Sequence, residues 1–417
     1  MNWQHKRWQM AAVLGISIIV ALFDRLNINF AMPLIAEDMG WTDQEIGARG
    51  MWLAAAFFIS YGLANMFLTP IAERFGPRKS LLFIVILWCL FTAMGAWFSQ
   101  IFWLFIAARL LLGLAEGVHF PMMNLLTRQW FPLHERSRGN SLWAAGMFLS
   151  MILAPLILVP MMDTWGWRST FLLLAVMGLL ITFPLIYRFV FDTPEQHPGI
   201  SEAELTYLNA HSNEVSDDKS DGSLSLAEFL KSPLFLLLVS ISSVHYIVVY
   251  GIVTWLPTYF NKERDIQFSD LSLPLILPYL SSVIALPVWS YLGDRTNKRA
   301  HIAAITYVLA ALSCFIAISV PSVWLSLIFI SLAIFFASAY NSAEWAFVQK
   351  VVPPHLTGKV GGVYNGIAVL VGGVLGSVIV GSAASYLGSF ATGFAVLGVL
   401  CVFLGLLMVV LGKRIRY

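Results

Sequence analysis

Twelve apolar stretches of about twenty residues or more, separated by polar or turn-forming breaks, constrain this chain more than any other feature. They run over 10–36, 47–70, 80–99, 101–124, 139–162, 168–191, 233–260, 270–293, 300–320, 322–347, 358–384 and 388–411. A helix of roughly 20 apolar residues crosses the hydrocarbon core of a bilayer. Lipid offers backbone groups no partners, so segments of this length must be helical to satisfy their own N–H and C=O. The predicted fold is therefore all-α: a polytopic membrane protein with twelve transmembrane helices. Composition agrees, since only 12% of residues are charged, against about a quarter in soluble domains. Lys6 and Arg7 precede a first stretch without a small-residue cleavage site, which reads as a retained helix.

Lysine and arginine placement predicts the topology. With both termini cytoplasmic, four of the 25 basic residues are external (Arg49, Arg168, Lys262, Arg264), two lie in the membrane (Arg25, Arg109) and the rest are cytoplasmic. The polar, acidic segment 192–231 divides the helices six and six, giving an N-terminal bundle (1–191), a linker and a C-terminal bundle (232–417). Its composition predicts a flexible linker with one short surface helix near 201–210. A weak repeat spans it: Glu73-Arg74-Phe75-Gly76-Pro77-Arg78-Lys79 follows the second helix, and Asp294-Arg295-Thr296-Asn297-Lys298-Arg299 follows the eighth. Matching loops suggest parallel structural repeats with a substrate site between them near midplane.

Within this pattern Asp24-Arg25 stands out, because a charge at the centre of a membrane helix costs at least ~2.5–3.5 kcal/mol. Adjacent residues point about 100° apart on a helix, so each calls for a further partner or a water-filled cavity. Arg109 and Glu116 are two turns apart in the fourth stretch and share a face, so a fixed pair between them is the alternative to a protonatable Glu116. Arg25 is the leading candidate for holding an anion, since its planar, permanently charged fork matches a carboxylate or phosphate. The alternative is a permanent structural salt bridge. Asp24 and Glu116 are candidates for a coupling proton: burial favours a neutral carboxyl, a nearby arginine the charged one.

The six-plus-six pattern, the central linker and the repeated loop resemble the major facilitator superfamily, with Thr69 and Ser290 in place of the signature's first glycine and Glu73 in place of its aspartate. A narrower set is similar to the anion:cation symporter family, whose members carry sugar acids, organic carboxylates, glutamate and phosphate. It comprises Asp24-Arg25-x-Asn27, Arg109-x6-Glu116-Gly117-x2-Phe120-Pro121, Trp130-Phe131-Pro132-x2-Glu135-Arg136, Thr254-Trp255-Leu256-Pro257-Thr258-Tyr259 and Gly361-Gly362-Val363-Tyr364-Asn365. The resemblance implies two six-helix bundles and a secondary transporter importing a small organic anion with protons. Arg25 would bind the anion, Glu116 would be protonatable, and Tyr61 and Asn365 would line the cavity; either could instead bridge packed helices. For Arg109 a structural or relay role and substrate contact both stand.

His119, one turn beyond Glu116, departs from the aromatic residue more usual there; proton handling and a hydrogen-bonded structural role are its two readings. His245 in the seventh helix has the same two readings, with substrate contact as its functional one. Met147 replaces a polar side chain of sugar-acid relatives. Asn341, Glu344 and Trp345 fall together in the tenth helix; a Glu344 facing the cavity would repel a second carboxylate or attract an amino group, but the preferred reading puts it at the cytoplasmic interface, solvated or paired with Lys350. Glu73, Arg74, Asp294 and Arg295 read as gating charges that hold the halves together in one state. The glycines Gly361, Gly362, Gly366, Gly372, Gly373 and Gly376 read as close helix packing.

No nucleotide-binding loop, metal-ligand cluster or catalytic triad stands out, so no enzyme activity, metal or cofactor is expected beyond a coupling H+. Nor does the chain suggest a nucleic-acid partner; lipid, an anion and a monomeric state are expected. Short external loops, three unpaired cysteines and no external Asn-x-Ser/Thr acceptor fit a bacterial inner membrane. A phosphate or organophosphate exchanger is the transport alternative; it would want a basic residue deep in each half, and helices 7–12 supply none. A transporter-like membrane sensor would want a folded cytoplasmic domain larger than this linker.

Overall fold

The structure, a computed structural model, describes residues 5–211, 225–353 and 356–415; among these no strand occurs. Twelve helices are long and apolar enough to cross a membrane. They are α1 (Lys6–Asp38), α2 (Asp43–Phe75), α3 (Pro77–Trp97), α4 (Phe102–Trp130), α5 (Leu133–Trp165), α6 (Trp167–Phe189), α7 (Pro233–Lys262), α8 (Phe268–Thr296), α9 (Arg299–Ser319), α10 (Val323–Val351), α11 (Val360–Leu387) and α12 (Phe390–Arg414). The acidic run Asp217–Gly222 lies outside the described residues.

The chain forms two compact units that do not follow the division at 191 and 231 read from the hydrophobic pattern. One comprises Met1–Asn27, Ser60–Ala154 and Arg168–Ser220; the other comprises Ile28–Ile59, Pro155–Trp167 and Asp221–Tyr417. Small residues explain why Ile28–Ile59 belongs to the second. A Cβ on Gly50 would lie 2.8 Å from the Trp255 ring, and one on Gly381 would lie 2.6 Å from Met51 Cβ. Gly373 abuts the Phe58 ring, which packs at 4.6 Å against Tyr250. Such close backbone approach is the usual packing device where lipid removes the hydrophobic drive between helices. Of the glycines read as packing, a Cβ on Gly376 would lie 2.6 Å from Ile247 O, whereas one on Gly362 would meet nothing within 4 Å. Gly362 is thus not a packing glycine.

In the first unit the linker departs from the flexible segment expected. Ser201 caps the helix Glu202–Ala210, accepting from Glu204 N at 3.2 Å. Buried Glu204 then reaches the start of α1, accepting from Lys6 N (2.8 Å), Arg7 N (3.3 Å) and Arg7 Nη1 (3.0 Å). A carboxylate here satisfies orphan N–H groups and meets the positive end of the helix dipole. Arg7 also donates through Nε to Glu135 at 3.0 Å. Asp192 accepts from Arg78 N at 2.7 Å beside Gly76, whose φ of +88° only glycine adopts readily. The first part of the linker is therefore a docked strap, because Glu204 meets the buried Arg7 guanidinium and Asp192 meets a backbone N–H.

Candidate functional site

Irregular backbone in the first unit surrounds the charged residues that the sequence singled out. The helical run of α4 is interrupted just after Glu116, at Gly117 and Val118, and resumes at His119. Opposite, α2 contains a π-helical turn over Ala64–Leu68, a distortion frequent at functional sites. The two fit together: a Cβ on Gly117 would lie 2.6 Å from Tyr61 O, and Asn65 Nδ2 donates to Gly117 O at 3.2 Å. Glycine here lets Tyr61 and Glu116 approach the same point.

There Arg25 donates from Nε and Nη2 to Glu116 Oε2, both at 3.1 Å. Its guanidinium lies 4.4 Å from the Tyr61 ring centroid, a cation–π distance. The Glu116 side chain is 1% exposed and that of Arg25 14%, so the cation keeps accessible surface while its partner is sealed. Glu116 Oε1 is buried with no hydrogen-bond partner among the described residues.

Asp24 points elsewhere, as the helical offset requires. It accepts from Thr92 Oγ1 and, at 3.0 Å, from Asn27 Nδ2. Arg109 is buried within electrostatic reach of Asp24 and Glu116. His119 shares a 2.8 Å hydrogen bond with Ser17 and packs edge-on against Trp88.

A second polar cluster belongs to the second unit. Glu344 is buried and accepts from Ser242 Oγ (2.6 Å), Tyr364 OH (3.0 Å) and Tyr246 OH (3.2 Å). Its expected place at a solvated interface is therefore wrong: i,i+4 neighbours Ser242 and Tyr246 on α7 draw it inward, while Lys350 is exposed. His245 uses both ring nitrogens, Nε2 with Asn341 Oδ1 (2.7 Å) and Nδ1 with Tyr307 OH (2.9 Å). Asn365 is half-buried on α11. Glu73, Arg74, Asp294 and Arg295 are all exposed at helix ends, and Asp294 pairs with Arg299 of its own loop.

Sequence reasoning missed Thr92, the hydroxyls around Glu344, and the Arg7–Glu204–Glu135 group. Tyr340 and Glu344 share a face on α10 as Ser242 and Tyr246 do on α7, and that paired spacing was the available signal.

Similarity to known proteins places this geometry in a family. The chain is 26% identical over 408 residues to a probable sulfoacetate transporter of Cupriavidus necator, covering 94% of this chain and 92% of that protein. It is 27% identical to a probable L-galactonate transporter of Escherichia coli, over 86% and 80% of the two chains. Its fold superimposes with a TM-score of 0.79 on a bacterial homolog of the human lysosomal transporter Spinster, at 14% identity over 97% of this chain and 96% of that one. Matching that family's description over residues 14–377 and 263–416, this multi-pass membrane protein belongs to the Major Facilitator Superfamily and is a transporter rather than an enzyme.

Proposed function

We propose that this chain imports a small organic anion, a carboxylate or sugar acid, by proton symport with alternating access across a bacterial inner membrane, both termini facing the cytoplasm. Arg25 anchors the anion and Glu116 carries the coupling proton. The observation that carries the reading is the geometry of that pair: two donors converge on one oxygen of Glu116, and the Arg25 side chain keeps accessible surface. An arriving anion competes with Glu116 for the same fork. Losing its cation leaves Glu116 a buried charge, which costs several kcal/mol unless it takes up a proton. Anion capture and proton loading thus become one event.

Asp24, held by Thr92 and Asn27, fixes the α1 backbone beside Arg25 and shares its field with Arg109. Tyr61 supports the guanidinium from one face. His119 and His245, each hydrogen-bonded within its own unit, orient neighbours. The names of the sulfoacetate and L-galactonate relatives support the substrate class.

The test is a thermal-shift screen of purified protein against L-galactonate, sulfoacetate and other carboxylates, followed by uptake of the hits into proteoliposomes under an imposed pH gradient. Arg25→Ala should remove both the thermal shift and uptake. Normal uptake by that variant would take Arg25 out of the site.

A further inference from the structure

Glu344 differs from the buried carboxylates Glu116, Glu135 and Glu204 in what surrounds it. Glu116 has Arg25, and Glu204 and Glu135 have Arg7. Among the described residues, the groups that face Glu344 are Ser242 and Tyr246 of α7 and Tyr364 of α11, with Tyr340 of its own helix bonded to Tyr364 at 3.0 Å. All four are neutral hydroxyls. The next polar groups, His245 with Asn341 and Tyr307, bond to one another. The charge of Glu344 is therefore met by hydroxyl dipoles and not by an ion pair among the described residues.

The shell also suits two protonation states. Backbone N–H groups or an arginine can only donate, and so fit the anion alone. A hydroxyl donates or accepts by rotating about its C–O bond. With three donated hydrogen bonds Glu344 is satisfied as an anion; when a proton binds one of its oxygens, one hydroxyl turns and accepts it. A purely structural polar contact would need no such reversible shell.

We propose that Glu344 is a second proton-binding site of this transporter, loading and releasing a proton in addition to the one carried by Glu116. This rests on the proton-symport reading for its place in the cycle, but proton binding at Glu344 stands or falls by itself. Ser242, Tyr246 and Tyr364 are positioning residues that hold the carboxyl in either state.

The experiment is an infrared pH titration of the purified protein, without added anion, between about pH 5 and 9. The wild type should lose a protonated-carboxyl C=O band as pH rises, and Glu344→Gln should lack one component of that change. Glu116→Gln should lack a different one. Tyr246→Phe keeps the carboxyl and deletes one partner, so it should shift the Glu344 component; that variant decides the matter if Glu344→Gln does not fold. Superimposable difference spectra for wild type and Glu344→Gln, or an unshifted spectrum for Tyr246→Phe, would overturn the proposal. In proteoliposomes accumulating L-galactonate at zero membrane potential, loss of one coupled proton should lower the final gradient about tenfold per unit of pH difference. A titrating Glu344 with an unchanged gradient would exclude it from the cycle, whereas failure of Glu116→Gln alone would count against the Arg25–Glu116 reading only.

Discussion

Arg25 and Glu116 meet through a single oxygen: Nε and Nη2 of the guanidinium both lie 3.1 Å from Oε2, while Oε1 is buried without a partner among the described residues. Both donors of the pair are spent on one oxygen, so the two oxygens of Glu116 stand in different surroundings.

Charge at Arg25 is not enough if the planar fork does the work. Arg25→Lys should keep a cation yet weaken anion binding at least tenfold, measured as the shift in half-saturation of the thermal response. Binding equal to wild type would show that a point charge suffices.

The ring of Tyr61 supports Arg25 as an aromatic face, so Tyr61→Phe should retain most uptake while Tyr61→Ala loses it. A cation–π contact is worth about 0.5–2 kcal/mol, and the half-saturation for anion should move accordingly. Equal loss in both variants would instead point to the hydroxyl.

Gly117 has room for no side chain. A Cβ there would meet Tyr61 O at 2.6 Å and Ala64 Cβ at 2.7 Å. Gly117→Ala should cost about 1–3 kcal/mol, as overpacking does, and lower the midpoint of thermal unfolding. An unchanged midpoint would mean that α2 and α4 part without cost.

The strap carries its own pH dependence. His197 accepts from Gly199 N–H at 3.0 Å through Nδ1, between the Trp130 and Phe191 rings. Burial, then the nearby Lys6 ammonium, hold its pKa below the ordinary 6.5. The undocked segment therefore binds more protons than the docked one, so docking weakens as pH falls below 6.5 and is fully present above it. Protection of the Glu202–Ala210 amides against hydrogen exchange, corrected for the intrinsic rate at each pH, should fall on acidification in the wild type, and His197→Gln should remove that dependence. An identical pH response in the variant would place the titrating group elsewhere.

Length and apolarity made the twelve spans legible, because lipid leaves a long apolar segment no alternative to helix. Arg25 and Glu116 were legible too, as rare charges in apolar runs. Their mutual contact was not, since it depends on the break at Gly117 and the π turn facing it, and no local pattern announces either. Glu344 was misplaced because one acidic residue near a helix end looks the same whether it faces water or three hydroxyls on other helices. The strap was hidden in polar composition: Glu204 becomes structural only when Arg7, nearly two hundred residues earlier, comes to meet it.

Uptake, by proteoliposomes containing Glu116→Gln, of a carboxylate that shifts the thermal unfolding of the wild type tests the central claim most directly, comparing exchange at equal concentrations with accumulation under an inward pH gradient. The account predicts that exchange persists while accumulation stops. Uphill accumulation equal to wild type would contradict it.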